Sequence, residues 1–201
     1  MPAKRDDGLA ATDSKVRQRY SEPSEAGDAL FALIDGVRSG WSVSDTLSWL
    51  RERVVFPGWL RKRDSRALTL ELGEPEVGTI TVPLLGQLDR AAAAKVDAIV
   101  RAAVARIVAE LRAHRDRPSD RLVRDAIDAG RVKQVDKRGG GEMWGAVLRE
   151  GEPLSTWLAT LAAADMIAGI RDYAKLGVCE DCDRAWFGGT DRRRCVDHRR
   201  R

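Results

Sequence analysis

Apolar residues recur every three or four positions over most of this chain, and that spacing predicts helices. The clearest case is residues 87–114, which contain neither glycine nor proline. Its apolar stripe consists of Leu88, Ala92, Val96, Ile99, Val100, Ala103, Ile107 and Leu111. At about 1.5 Å per residue this helix would be roughly 40 Å long. We therefore expect it to be either the spine of a helical domain or the seam of a homodimer.

Four shorter segments share this helical spacing. We expect a helix capped by Ser24 and ended by Gly40, and a second helix that begins at Ser42 or Ser44 and stops at Pro57. The other two predicted helices cover residues 119–130 and 153–175. We expect Gly177 to close the last of these helices and to lead the chain into its C-terminal segment.

Alternating apolar and polar residues predict a small amount of β-structure. Leu68, Leu70 and Leu72 alternate with polar residues, and Ile80 and Val82 alternate after a glycine-containing turn, so a hairpin is expected. Segments 132–135 and 143–148 could form two more strands, joined by the glycines at 139–141. A phosphate contact by these glycines is the alternative, although the P-loop order of residues is missing.

Composition agrees with one folded domain and a small appendage. The 201 residues are 43% hydrophobic and 33% charged, with a mean hydropathy of −0.37. No apolar run approaches the roughly 20 residues of a membrane span, and no secretory signal is visible, so a cytoplasmic protein is expected. We predict a mobile tail over 1–23, a mainly helical domain over 24–176 and a zinc-binding knuckle over 177–201. The predicted fold class is mainly α with small β-hairpins (α+β).

The cysteines change this picture most, because all three lie in the last part of the chain in the order C-x2-C-x12-C-x2-H. Two short-spaced pairs can point four donors at one ion, and zinc readily accepts three sulfurs and one nitrogen. The predicted metal ligands are Cys179, Cys182, Cys195 and His198. A redox C-x-x-C pair is disfavoured, since the pair follows a helix and acidic residues surround it. Water or another chain is the alternative to His198 as the fourth ligand.

The predicted zinc is structural, because four protein ligands would fill its coordination sphere. The zinc-deaminase and H-E-x-x-H patterns are absent. The only other histidine, His114, is expected to be a residue of the charged surface. With no phosphate loop and no nucleophile–base arrangement visible, we predict that the protein is not an enzyme.

The helix before the cysteines, the short linker and the cysteine–histidine stretch resemble the C-terminal arrangement of bacterial CGNR-type zinc-finger proteins. The matching residues are Cys179, Cys182, Phe187, Arg193, Arg194 and Cys195. The resemblance implies a DNA-binding transcription regulator whose N-terminal helical domain binds something else. It covers only the last quarter of the chain. The chain departs from the family pattern because His198 stands close behind Cys195 as the fourth ligand, and because the Cys-Gly-Asn-Arg signature is missing.

Arginines cluster around the second half of the predicted knuckle, and guanidinium groups suit phosphates and guanine edges. The net charge of +4 and pI near 9.2 permit a nucleic-acid partner. We predict DNA contacts by Arg192, Arg193, Arg194, Arg199 and Arg200. A second basic cluster lies at 59–66 and could contact phosphate. Because acids are interleaved with these arginines, the alternative is a zinc-stabilised protein-interaction module, for example one that binds a polymerase.

Overall fold

A computed structural model describes residues 18–21, 23–53, 69–83, 86–136, 142–149, 151–189 and 192–198. Over these ranges the chain forms five α-helices and seven short strands, all paired antiparallel. The predicted class, mainly α with small β-hairpins, is confirmed. Several features named above lie outside the described residues: Pro57, the basic cluster at 59–66, Leu68, the glycines at 139–141, and Arg199 with Arg200.

The helices are α1 (Pro23–Arg38), α2 (Val43–Arg53), α3 (Arg90–Asp116), α4 (Arg121–Asp128) and α5 (Leu154–Ala168). Helix α3 starts where the carboxylate of Asp89 accepts a hydrogen bond from the backbone N–H of Ala92, at 2.7 Å. Its predicted stripe is buried from Val96 to Leu111, and α1 and α5 pack against the helix. Helix α3 is therefore a spine whose apolar face is covered within the chain itself. None of the helices in the described ranges has the length and apolar content needed to cross a bilayer.

The strands are β1 (Gln18–Ser21), β2 (Thr69–Glu74), β3 (Gly78–Pro83), β4 (Val132–Asp136), β5 (Glu142–Arg149), β6 (Leu176–Val178) and β7 (Ala185–Phe187). They form three sheets, with the orders β1–β5–β4, β2–β3 and β6–β7. Most of the predicted mobile tail (1–23) lies outside the described residues, but residues 18–21 form strand β1. Its polar sequence gives no local sign of a strand, and the partner that supplies its ladder, β5, lies far along the chain.

The hairpin of β2 and β3 is fixed to α5 by a buried carboxylate. Glu74 is only 2% exposed and continues the inward register of Leu70 and Leu72. It accepts hydrogen bonds from the backbone N–H of Ser155 at 2.5 Å and from the Ser155 hydroxyl at 3.0 Å. The negative charge therefore lies at the N-terminus of α5, where the helix dipole favours it.

The end of α5 differs from the predicted helix over 153–175. The helix stops at Ala168 because Gly169 adopts a left-handed conformation, with φ 65°. The chain then makes a short 3-10 turn (Tyr173–Lys175) and enters β6. Gly177 is thus a strand residue and not a helix stop. Residues 169–175 therefore lie outside the helix and connect it to the strand that precedes the cysteines.

Candidate metal centre

Two short backbone turns bring the two halves of the cysteine–histidine motif together. The first turn covers residues 179–184, before β7, and the second covers residues 195–198, after it. In the first turn the N–H of Cys179 donates to the carbonyl of Arg184 at 2.8 Å, and Asp183 closes the turn with a left-handed φ of 61°. The second half lies along the first, since the N–H of Glu180 donates to the carbonyl of Arg193 at 3.0 Å. From here on, the knuckle means the described residues 176–189 and 192–198.

The four predicted ligands converge in the knuckle. Their donor atoms all lie within 4.8 Å of one another. The Sγ atoms of Cys182 and Cys195 are 3.7 Å apart, and Nδ1 of His198 lies 3.3 Å from Sγ of Cys179 and 3.2 Å from Sγ of Cys195. Cys179 and Cys195 are buried, whereas Cys182 and His198 are half-buried. The predicted set therefore forms one site that could hold a metal ion.

The protein environment shifts the pKa values of Cys179 and Cys182 in opposite directions. Burial raises the pKa of Cys179, but hydrogen bonds from the backbone N–H groups of Cys195, Asp181 and Cys182 outweigh burial and lower that pKa to about 6. Burial and the neighbouring sulfurs raise the pKa of Cys182 to about 11. The chain thus favours the thiolate of Cys179 and opposes that of Cys182. A divalent cation would supply the charge that lets all three sulfurs bind as thiolates.

Two arginines near the end of α3 attach the knuckle to the helices. An Nη atom of Arg112 donates to the carbonyl of Cys179 at 2.6 Å and to Oδ1 of Asp183 at 2.5 Å. Arg115 is only 3% exposed and donates to the carbonyl of Val178 at 2.6 Å and to Oε1 of Glu180 at 3.3 Å. These contacts of Arg112 and Arg115 were not predicted from the sequence. A signal for one of them exists, because Arg115 continues the four-residue spacing of the buried residues Ile107 and Leu111.

An aromatic cluster makes a second attachment. Phe187 of β7 lies edge-on to Phe31 of α1 and to Tyr173, with both pairs of ring centroids 5.3 Å apart. The ring of His114 lies 6.0 Å from that of Tyr173. His114 is half-buried, and burial lowers its pKa, so the expectation of a charged surface residue is wrong. His114 lies in the last turn of α3, and its ring faces the aromatic cluster.

The predicted nucleic-acid contacts occupy different positions on the knuckle. Arg192 is half-buried and donates to the carbonyl of Ala174 at 2.8 Å. Arg193 is 64% exposed, and its guanidinium lies 3.3 Å from Asp116. Arg194 is also exposed. The structure therefore places two of the three described arginines at the surface and gives the third a role in fixing the knuckle.

The chain was compared with known proteins at the levels of family, sequence and structure. No protein-family model matches it, no curated protein matches its sequence, and no solved structure matches its fold. The resemblance to CGNR-type zinc-finger proteins therefore stays a prediction. Function has to be inferred from the knuckle and its surroundings.

Proposed function

We propose that the knuckle binds one Zn²⁺ ion through Cys179, Cys182, Cys195 and His198. A regular tetrahedron with zinc–sulfur and zinc–nitrogen bonds of the usual length has edges of about 3.8 Å between sulfurs and about 3.5 Å between sulfur and nitrogen. Here the Sγ atoms of Cys182 and Cys195 are 3.7 Å apart, Nδ1 of His198 lies 3.3 Å from Sγ of Cys179 and 3.2 Å from Sγ of Cys195, and all four donors lie within 4.8 Å of one another. The donors thus surround a space of the size that zinc occupies, and three sulfurs with one imidazole suit its chemistry.

The role we propose for this zinc is structural. Four protein donors leave no coordination position for a water or a substrate, which a catalytic zinc requires. The ligands also belong to a segment that contributes buried residues to the main core, including Leu176 and Val178. The metal would therefore hold the knuckle against the helices, and we propose no enzymatic reaction for it.

We further propose that the knuckle is a DNA-binding surface of a regulatory protein. One observation carries this proposal: two acids of the first turn, Glu180 and Asp183, are paired with arginines of α3, whereas two of the arginines just before Cys195 are exposed. Asp183 pairs with Arg112 and Glu180 pairs with Arg115. These helix arginines offset the acidic charge that otherwise opposes a phosphate backbone. Arg193 also forms ion pairs with Asp116 and Glu180, but its side chain and that of Arg194 are exposed, so a phosphate can reach them.

The test is a fluorescence-anisotropy titration of labelled duplex DNA with zinc-loaded protein at several salt concentrations. We expect binding that weakens steeply with salt, and a slope of log K against log salt that becomes shallower by about 0.9 for each phosphate contact removed. Arg193→Ala and Arg194→Ala should each reduce both the affinity and the slope. Arg121→Ala is the matched control, since Arg121 lies on helix α4, outside the knuckle, and is 67% exposed.

Two results would count against DNA binding. One is a folded, zinc-loaded protein that does not bind duplex at low salt. The other is equal loss of affinity in Arg121→Ala and in the knuckle variants, because binding would then depend on overall charge alone. A protein partner that remains bound after nuclease treatment would favour the interaction-module alternative.

A further inference from the structure

An open pocket of about 290 Å³ lies against strand β7, beside the metal centre. Arg184, Trp186 and Gly188 alternate along the chain, so they share one face of the strand, and all three line the pocket. The lining is completed by Gly189, Cys195 and Val196. Val196, in the second turn, is 68% exposed, an unusual position for an aliphatic side chain.

The charge of the described lining is balanced. Its one charged residue, Arg184, forms an ion pair with Asp197 at 3.2 Å. The other walls are an indole, an aliphatic side chain, a buried cysteine and two glycines, so the lining is mostly apolar. Charge complementarity therefore selects an uncharged apolar group, because a charged group would lose water there without gaining a partner.

The aromatic wall of the pocket is held in place from behind. Trp186 pairs with Gly177 across the β6–β7 ladder, and its indole covers that glycine so closely that a Cβ there would collide with the ring. The ring is therefore positioned before any ligand arrives, which lowers the entropy cost of binding. A Cβ placed on Gly188 would meet no atom within 4 Å, so the pocket is open on that side.

The hydrogen bonds of the β6–β7 ladder fix which backbone groups of β7 face its partner strand. The N–H of Cys179 donates to the carbonyl of Arg184 at 2.8 Å, and the N–H of Gly188 donates to the carbonyl of Lys175 at 3.0 Å. Residues of an antiparallel pair exchange such bonds at every second position. Trp186, midway between these two bonds, is therefore the residue of β7 whose backbone groups face β6.

Ala185 and Phe187 consequently direct their backbone N–H and carbonyl groups away from β6. Among the residues that the structure describes, no hydrogen bond joins these groups to another segment. The opposite edge of the hairpin is occupied, since the N–H of Val178 donates to the carbonyl of Arg192 at 3.0 Å. We call the outward backbone groups of Ala185 and Phe187 the open edge. It belongs to the strand that lines the pocket.

We propose that an extended segment of a protein partner pairs with the open edge and places an apolar side chain in the pocket. Unpaired groups on a strand edge match another peptide backbone, and strand addition combines such pairing with pockets for alternate side chains. In an antiparallel pair, opposite residues have Cβ atoms about 4.5–5.5 Å apart, so the partner residue opposite Trp186 lies beside the indole. This surface goes beyond the proposed DNA contact and does not depend on it, because it uses none of the arginines at 192–194.

The probes are four fluorescent heptapeptides with blocked ends, in which threonine and serine alternate and only the central residue differs. That residue is leucine, phenylalanine, threonine or aspartate, and each peptide is titrated with zinc-loaded protein by fluorescence anisotropy. We expect the leucine and phenylalanine peptides to bind. The threonine peptide should bind about 10- to 150-fold more weakly, which corresponds to the burial of a large apolar side chain, and the aspartate peptide should bind more weakly still.

Two matched variants test the pocket. Val196→Ser removes an exposed apolar part of the lining, so it should weaken binding of the leucine peptide and bring it closer to that of the threonine peptide. Ile170→Ser is the control, because Ile170 is also aliphatic, is 52% exposed and lies outside the lining. It should have no effect. The metal content and unfolding midpoint of each variant are measured alongside.

Pairing at the open edge is tested in the peptide itself, which leaves the protein unchanged. Methylation of the amide nitrogens at alternate positions blocks one edge of an extended peptide. One alternate set faces β7 and the other faces solvent, so one methylated leucine peptide should lose binding and the other should keep it. Ala185→Pro removes one donor of the open edge and should weaken the leucine and threonine peptides by the same factor.

Four results would overturn this inference. Absence of peptide binding by zinc-loaded protein is the first, and a concentration-dependent dimer that Val196→Ser dissociates would then assign the surface to a second copy of this chain. Equal binding of the leucine and aspartate peptides, or equal losses in Val196→Ser and Ile170→Ser, would show that the pocket is not the site. Equal binding of the two methylated peptides would show that the open edge is not used. DNA binding is judged separately by Arg193→Ala, so it stands or fails independently of these results.

Discussion

Arg115 connects the helical spine to the backbone of the metal site. Its side chain is almost fully buried and donates to the carbonyl of Val178, which immediately precedes the first cysteine ligand. A buried carbonyl that loses its donor is costly, whereas Asp116 and Glu180, the ion-pair partners of Arg115, are 44% and 46% exposed and can be solvated by water. We expect Arg115→Ala to lower the free energy of unfolding of zinc-loaded protein by about 1–3 kcal/mol, measured by urea denaturation.

Two comparisons make this prediction specific. Arg121→Ala removes an exposed arginine and should change stability by less than about 0.5 kcal/mol. Arg115→Lys keeps the charge but loses the forked geometry, so it should fall between the native protein and Arg115→Ala. If Arg115→Ala were no more harmful than Arg121→Ala, the knuckle would not be anchored through this residue.

Asp165 is a second buried charged residue, and it gives a pH-dependent prediction. Its carboxylate accepts hydrogen bonds from the Tyr173 hydroxyl at 2.9 Å and from Arg171 at 2.6 Å. Burial outweighs these partners and raises the pKa of Asp165 above its ordinary value of 3.8. A carboxyl with a raised folded-state pKa costs nothing below its unfolded pKa. Its ionisation then costs stability progressively as pH rises through the folded pKa.

The unfolding free energy of the native protein, minus that of Asp165→Asn, should therefore fall as the pH rises from about 3 to 7. The asparagine does not ionise, and both proteins keep the same metal site, so the pH dependence of the metal cancels in the difference. Urea denaturation of both proteins at a series of pH values measures this difference in unfolding free energy. A difference that stays level or increases with pH would show that Tyr173 and Arg171 fully compensate the buried charge.

At the scale of elements, the β6–β7 hairpin depends on a glycine opposite a tryptophan. A side chain at Gly177 would collide with the Trp186 indole, so Gly177→Ala must displace the ring or the strand. We expect a loss of about 1–3 kcal/mol, the usual cost of overpacking. Combining Gly177→Ala with Trp186→Leu should cost less than the sum of the two single changes, because the smaller side chain makes room. Additive losses in denaturation would contradict this packing.

The sequence predicted the elements well wherever the signal was local. The spacing around Leu111 marked the long helix, and Ser42 forms the expected cap of α2 with Asp45. The two errors had different causes, a distant strand partner in one case and a local glycine in the other. Strand β1 needs the edge of β5, and the end of α5 depends on Gly169, which competed with helical spacing that continues beyond it. The inward positions of Glu74 and Arg115 could have been found, since both continue an apolar register.

At the scale of the whole molecule, the knuckle belongs to the core and is not a separate appendage. Phe187 packs between α1 and Tyr173, and Val178 is fully buried beside α3. Zinc binding by zinc-finger peptides is worth about 10–16 kcal/mol at neutral pH, and an ion that binds only the folded state raises the unfolding free energy of the chain that holds it.

Removing the metal with a chelator should therefore lower the thermal midpoint of the whole chain. Calorimetry and far-ultraviolet circular dichroism should show a single transition in both metal states, because the knuckle and the helices share one core. Readdition of Zn²⁺ should restore the midpoint. Two separate transitions, with only the smaller one sensitive to metal, would instead indicate a knuckle that folds independently of α1 and α3.

The four ligands were predicted from spacing alone, since two short-spaced pairs specify a metal site almost without tertiary information. The same sequence did not reveal that Asp183 pairs with Arg112 and Glu180 with Arg115, because these arginines lie on α3, far away along the chain. The electrostatic character of the knuckle thus depends on tertiary packing. The pairing of these two acids with α3 therefore supports DNA contact in a way that the sequence alone does not.

Titration of the reduced, metal-free protein with Co²⁺, followed by visible absorption, tests the metal site most directly. Tetrahedral cobalt absorbs far more strongly than octahedral cobalt, and thiolate ligands add charge-transfer bands. We expect strong absorption that saturates at one equivalent of Co²⁺, is displaced by Zn²⁺, is weakened in Cys182→Ser and is shifted in His198→Ala. Weak octahedral absorption, or a spectrum that neither substitution changes, would mean that these four residues do not form the metal site.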